Sequence, residues 1–286
     1  MKQGHAWLLP TLSLMVFSTG VLAKADQNPV ADTVIARQQA ALHANAVMKG
    51  FGPQSPRNID EATGLSSGQF SAAPPYQRMN LCNIHFHSGA EHSGGEFTQY
   101  AGNGDGKGHY SGYLYSGRLS AAERRPIAQS VCSGKQGGLQ SGDTIEVHFV
   151  HTTAEVQPGP TLGACFNDAN SNPQLRVEAQ VYVLVNDADA LDFGHLSQVE
   201  QVGAYYQVVN LPNNLGDPVA YAGSTSGPDF NERGSPFQVS WRVHPEVAKV
   251  NVRSLGRWCQ GNRFNEDHGH GVRNLITNPA LLSPIL

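Results

Sequence analysis

Five histidines and two glutamates crowd into two short stretches, Asn83-Ile84-His85-Phe86-His87 with Glu91-His92 behind it, and Glu146-Val147-His148-Phe149-Val150-His151. Polar and apolar residues alternate in both, the period-2 pattern of a strand with two different faces. His85 and His87 therefore point the same way, about 6.6 Å apart at ~3.3 Å per residue. Two imidazoles at that spacing can reach one metal ion. A third nitrogen from a neighbouring strand, with His148 the best candidate, would complete a His₃ set with one position open. Zn²⁺ is held in this way when it must acidify a water. A single His-x-His is weak support, since such pairs arise by chance. The repetition is stronger: Glu146 and His148 share one face while Ile145, Val147 and Phe149 take the other.

Neighbouring residues extend the site. Asn83 lies two residues before His85 and on its face, within reach of a ligand ring, and Glu146 has the same relation to His148. Such partners fix the orientation and tautomer of metal-binding imidazoles. The four cysteines are Cys82, Cys132, Cys165 and Cys259, with no Cys-x-x-Cys spacing. An even count behind an export signal predicts one or two disulfides in any of three pairings. A bridge at Cys82 would brace the strand that carries His85 and His87.

Residues 1–23 read as a secretory leader: Lys2, an apolar run from Trp7 to Leu22, and Val21-Leu22-Ala23 as a cleavage site. Pro10, Ser13 and Gly20 interrupt the run, so no stable membrane span is expected. The location expected is periplasmic or secreted. The remainder, 24–286, reads as one domain. Its 18 basic residues (19 less Lys2) against 23 acidic ones leave no footprint for nucleic acid or an anionic membrane. Abundant Gly and Pro with modest charge predict many short strands, and nothing in the pattern sets an oligomeric state. Residues 24–50 hold the one convincing helical patch, Ala31 to Met48, which should be a peripheral helix. Gly102 to Gly108 should be a hairpin loop and not a calcium loop, since the downstream Glu that calcium needs is missing. Val177–Val185 and Phe237–Val243 predict strands, and 210–236 reads as loop.

The residues resemble a carbonic anhydrase. Gln54-Ser55-Pro56-Arg57-Asn58-Ile59, His85-Phe86-His87-Ser88-Gly89, Glu91-His92, Glu146 to His151, Tyr221 to Pro228 and Val239-Ser240-Trp241 occur in the order of the α-class motifs. The interval between Ile59 and His85 is shorter than in that class, however. The wording Asn83-Ile84-His85-Phe86-His87 with Gly89-Ala90-Glu91-His92 is closer to the δ-class, carbonic anhydrase-like family. That likeness implies a mainly β fold with a few short helices around a large, mostly antiparallel central sheet. It implies a lyase that hydrates CO₂ to bicarbonate and a proton through zinc-bound hydroxide, with one Zn²⁺ per chain on His85, His87 and His148. It further implies that Ser226 accepts a hydrogen bond from the hydroxide and donates its own to Glu91, and that Val150 and Trp241 wall the CO₂ pocket.

The proton shuttle has no obvious residue; His92, His109, His151 and the pair His268 and His270 in Asp267-His268-Gly269-His270 are the candidates, with His92, His268 and His270 preferred. Two other functions compete with this one. A cupin-type Fe or Mn enzyme would use Glu91 as a ligand beside His85 and His87, and metal identity separates it from zinc. A catalytically silent, carbonic anhydrase-like binding protein would ordinarily have lost a ligand.

Overall fold

Alternating sequences become strands here because each face finds its own core. The computed structural model describes residues 28–225, 231 and 233–285. The expected leader and Ser226 lie outside these residues. The first element among the described residues is α1 (Asp32–Ala46), followed by β1 (Asn80–Ser88), the short hairpin β2 (Gln99–Tyr100) and β3 (Tyr113–Leu114), and the hairpin β4 (Val131–Gly134) and β5 (Gly137–Leu139). Then come β6 (Thr144–Thr152), β7 (Leu175–Val185), α2 (Phe193–Leu196), and the hairpin β8 (Val199–Val202) and β9 (Tyr205–Val208). The chain continues through β10 (Val219–Ser224), β11 (Gln238–Asn251) and α3 (Val252–Cys259).

Five strands form the central sheet in the order β1-β6-β7-β11-β10. All neighbours are antiparallel except β7 and β11, which run parallel. The expected mainly β fold is thus found, in a single domain with one parallel step. Ile84, Phe86, Ile145, Val147, Phe149 and Tyr182 form one core layer, which α2 and α3 help to cover through Phe193, Leu196, Leu255 and Trp258. Val150, Val177, Ala179, Val181, Tyr221 and Trp241 form the other. Each fully buried side chain of this size contributes about 1.5–3 kcal/mol, so the two layers hold β6 in register from both sides.

The glycine-dense loop does join a hairpin, β2 to β3. Helix α1 is peripheral as expected, packing Leu42 and Ala46 against Ile276 and Leu282 in a small separate cluster. Two expectations need correction. The stretch read as loop at 210–236 contains β10, an edge strand whose small residues hide its period. Gly223 is needed there, because a Cβ would sit 2.7 Å from Ser55 Oγ. Helix α3 adds a helical stretch beyond the one expected at 31–48: it spans only eight residues and buries Val252, Leu255 and Trp258 while Arg253 and Arg257 stay exposed. Both cysteine pairs are bridged, Cys82 to Cys165 and Cys132 to Cys259. Two disulfides fit an oxidising, exported compartment. No helix among the described residues is long and apolar enough to cross a membrane.

His151 belongs to the fold and not to the metal face. It lies on the Phe149 side of β6, fully buried, with Nδ1 donating to the Phe149 carbonyl at 3.0 Å. Burial pushes its pKa down to about 3. In the unfolded chain the ring takes a proton near pH 6.5, so acid favours unfolding between pH 6.5 and 3, by about 3 kcal/mol at pH 4. Denaturant midpoints measured from pH 7 to 4 should fall less steeply in His151→Gln than in the unsubstituted protein.

Candidate metal centre

The antiparallel register of β1 and β6 builds the site. His85 lies opposite His148, His87 opposite Glu146, and Asn83 opposite Val150. One ring nitrogen of each histidine is occupied from behind, which leaves the other to face the centre. His85 Nδ1 donates to Asn83 Oδ1 at 2.7 Å, and His87 Nδ1 to the Gly271 carbonyl at 3.1 Å. His148 is bound the opposite way round, with Nε2 donating to Glu146 Oε1 at 2.7 Å. The nitrogens that remain are His85 Nε2, His87 Nε2 and His148 Nδ1. A set of ligand atoms from these three residues lies within 4.8 Å of one another. His148 Nδ1 and His85 Nε2 are 3.2 Å apart.

This set fits a metal ion on chemical grounds. Buried His87 Nε2 has no protein partner, and a buried polar atom ordinarily has one. Burial is the largest influence on both His85 and His87, lowering the first pKa well below the usual range and the second to about 4. Neutral imidazoles are the form that binds metals. His85 is the least enclosed of the three, on the side bordered by His270.

Glu146 ties the centre to what lies behind it. It is fully buried and accepts four hydrogen bonds: from the Glu91 and His92 backbone N–H groups, from His92 Nδ1, and from His148 Nε2. Burial alone would raise its pKa, but His92 and His148 outweigh that and hold it well below the usual carboxylate range. His92 passes the network on, with Nε2 2.6 Å from the Tyr221 hydroxyl.

That arrangement corrects one candidate. His92 is fully enclosed and both its ring nitrogens are engaged, so it has no path to solvent. His270 and His268 do reach solvent. The His270 ring lies 5.9 Å from that of His85 and 6.1 Å from that of His87, and the His268 ring is 5.5 Å further on. Glu266 holds His270 Nε2 at 2.8 Å. Backbone bonds from Ser88 N to His270 O and from His270 N to Phe86 O attach this segment beside His87.

Glu91 sits behind the His87 ring, with Oε2 3.7 Å from Nδ1 and not on the metal-facing nitrogen. Burial raises its pKa, yet His87 and His148 together bring it below the ordinary value. Gly89 makes this position reachable. Its φ is +100° and a Cβ would meet the Ser111 carbonyl at 2.4 Å, so only glycine allows the turn after β1. Glu91 lies outside the groups of side chains able to hold a metal, whereas Glu146 shares one such group with His92 and His148. Trp241 stands edge-on to His148, ring centroids 5.0 Å apart, and its Nε1 donates to the Ser224 carbonyl. Val150 is buried on the same face as His148.

Three residues had no assigned part in the sequence reading. Gly271 supplies a carbonyl to His87, and Tyr221 supplies a hydroxyl to His92. Arg273, buried, donates its backbone N–H to Glu91 Oε2 at 3.2 Å and its Nη2 to the Arg233 carbonyl. Tyr221 opens one of the stretches that carry the family resemblance, but nothing in the local pattern signals Gly271 and Arg273, because the C-terminal segment reaches the site only through the fold.

Fold and site together define a mixed-sheet protein with a three-histidine group able to hold a metal. The sequence profile of the delta carbonic anhydrase family matches residues 76–254. The chain belongs to that family. Among curated proteins, none matches it in sequence. Solved structures that overlap it include an α-carbonic anhydrase from Thermovibrio ammonificans in complex with the inhibitor sulfanilamide, 17% identical, covering 82% of this chain and 86% of that one with a TM-score of 0.29. Another is a halotolerant carbonic anhydrase from Dunaliella salina, 16% identical, covering 84% and 89% with a TM-score of 0.33. A third is the Photobacterium profundum α-carbonic anhydrase, 15% identical, covering 85% and 94% with a TM-score of 0.30. Overlaps this loose carry no functional argument.

Proposed function

We propose that this protein is an exported zinc enzyme that hydrates CO₂ reversibly to bicarbonate and a proton. One observation carries the reading: three imidazoles converge, each with its outer nitrogen already bonded, and His87 Nε2 is buried without a partner. His85, His87 and His148 would hold the ion. Zn²⁺ on three neutral ligands keeps its full charge and brings the pKa of a coordinated water to about 7.

The chain's own groups do the rest. Asn83, the Gly271 carbonyl and Glu146 fix the three tautomers, so that no ring must turn for the site to work. Glu91, kept anionic, is the acceptor for a hydroxyl that orients the attacking oxygen, and Ser226 is the residue assigned to that hydroxyl. Val150 and Trp241 provide an apolar wall that suits CO₂, which has no charge to recognise. His270 and then His268 are the candidates to carry the proton outward, because the His270 ring neighbours His85 and both residues meet solvent.

Two experiments test this. Glu91→Gln should retain zinc but lose kcat/KM by ~10²-fold, the size of effect for removing an orienting interaction made in the transition state. Loss of the metal instead would make Glu91 a ligand and overturn the assignment. His270→Ala should slow turnover in weak buffer by on the order of 10²-fold, and added imidazole should restore it. An unchanged rate in weak buffer would remove His270 from the proton path.

A further inference from the structure

The two disulfides differ in their access to solvent. Cys82 and Cys165 are both completely buried. Cys132, 7% exposed, and the half-buried Cys259 instead line a surface groove of about 460 Å³ between β4 and α3. Arg253 and Arg257, one helical turn apart on α3, line the same groove with Ser130, Ser133 and Asp267. We propose that Cys132–Cys259 is a thiol–disulfide exchange site for an external dithiol, whereas Cys82–Cys165 is closed to exchange in the folded protein.

The reaction balances without any group of the metal centre. A thiolate of the dithiol attacks one sulfur of the bridge, forming a mixed disulfide. The Cys132–Cys259 bond breaks, and its electron pair leaves on the other cysteine as a thiolate. The second thiolate of the reagent then attacks the mixed disulfide, closes its own disulfide and releases the remaining cysteine. The protein gains two electrons and two protons, and the dithiol loses them. Both the incoming and the departing sulfur are anionic, and cationic surroundings favour thiolates. Arg253 and Arg257 supply that charge. The Arg253 guanidinium bonds the neutral Asn186 amide oxygen, while Arg257 shares its charge with Asp192 at 2.7 Å. The backbone adds a second observation. Cys132 has φ +50°, a region that residues with a Cβ rarely occupy, and opening the bridge would let β4 leave it.

The position of the bridge links it to the centre. Cys259 closes α3, and the chain beyond it carries Glu266, His270 beside His87, and Arg273 on Glu91. Opening the bridge removes the tie that anchors the start of this segment. That consequence rests on the proposed hydratase reading; the exchange itself does not.

The test uses the full-length, zinc-loaded protein in graded dithiothreitol. Samples are quenched by alkylation and mapped by mass spectrometry, with circular dichroism followed in parallel. Cys132 and Cys259 should be alkylated at least about tenfold faster than Cys82 and Cys165, while the dichroism stays native. Equal rates, or labelling only as the dichroism collapses, would overturn the proposal. The Arg253→Gln/Arg257→Gln variant should open its Cys132–Cys259 bridge about threefold or more slowly at low salt, with the buried pair unchanged. An unaltered rate would overturn the part given to the groove. If the labelling order holds but the oxidised protein hydrates no CO₂, the hydratase reading fails and the exchange site stands.

Discussion

Replacing His148 with alanine should strip the metal and reduce CO₂ hydration to the uncatalysed background. In the proposed site His148 contributes Nδ1 from the strand beside His85 and His87, and neither His92 nor His151 can replace it. His92, the nearest imidazole behind it, is engaged by Glu146 and Tyr221. His151, three residues on, lies on the opposite face of β6 with the Phe149 layer. Two histidines alone leave zinc under-coordinated, and metal binding falls accordingly. Metal content by elemental analysis together with a CO₂ hydration assay reads the outcome. Full zinc and full activity in His148→Ala would show that the ligand set is wrong.

Glu146→Ala should cost both stability and metal affinity, through a different cause. Four donors converge on this buried carboxylate: two backbone N–H groups and two imidazoles. Without it they remain buried with no acceptor, and breaking such a network costs about 3–5 kcal/mol. His148 would also lose the bond that selects its Nε2–H tautomer and so keeps Nδ1 available. Loss of a partner of this kind typically lowers metal affinity ~10–100-fold. Chemical denaturation of the metal-depleted protein separates the first effect, and zinc competition with a chelator reads the second. An unchanged midpoint with unchanged affinity would leave Glu146 no part in either. Glu146→Gln should lie between, because it keeps the volume but gives up the charge.

The alternation in 83–87 and 146–151 determined the strands and their polar faces, and put His85, His87 and His148 together as a group able to hold a metal. It also placed Asn83 and Glu146 beside these histidines, since on a strand a partner two residues away necessarily shares a face. Those relations are local, and local relations are legible in a sequence. The four cysteines showed that disulfides should form but not which, because pairing depends on distances between elements far apart in the chain. The same limit hid the segment 266–273. Gly271 and Arg273 lie more than 180 positions from the residues they bind, 184 for Gly271 to His87 and 182 for Arg273 to Glu91. The fold also decided between histidines that look alike in one dimension. His92, a candidate shuttle, is enclosed in the Glu146 network, whereas His270 is brought beside His87 by backbone pairing. Residue type gives each imidazole the same chemistry; only tertiary structure decides which nitrogen is bonded, which faces the centre and which meets water.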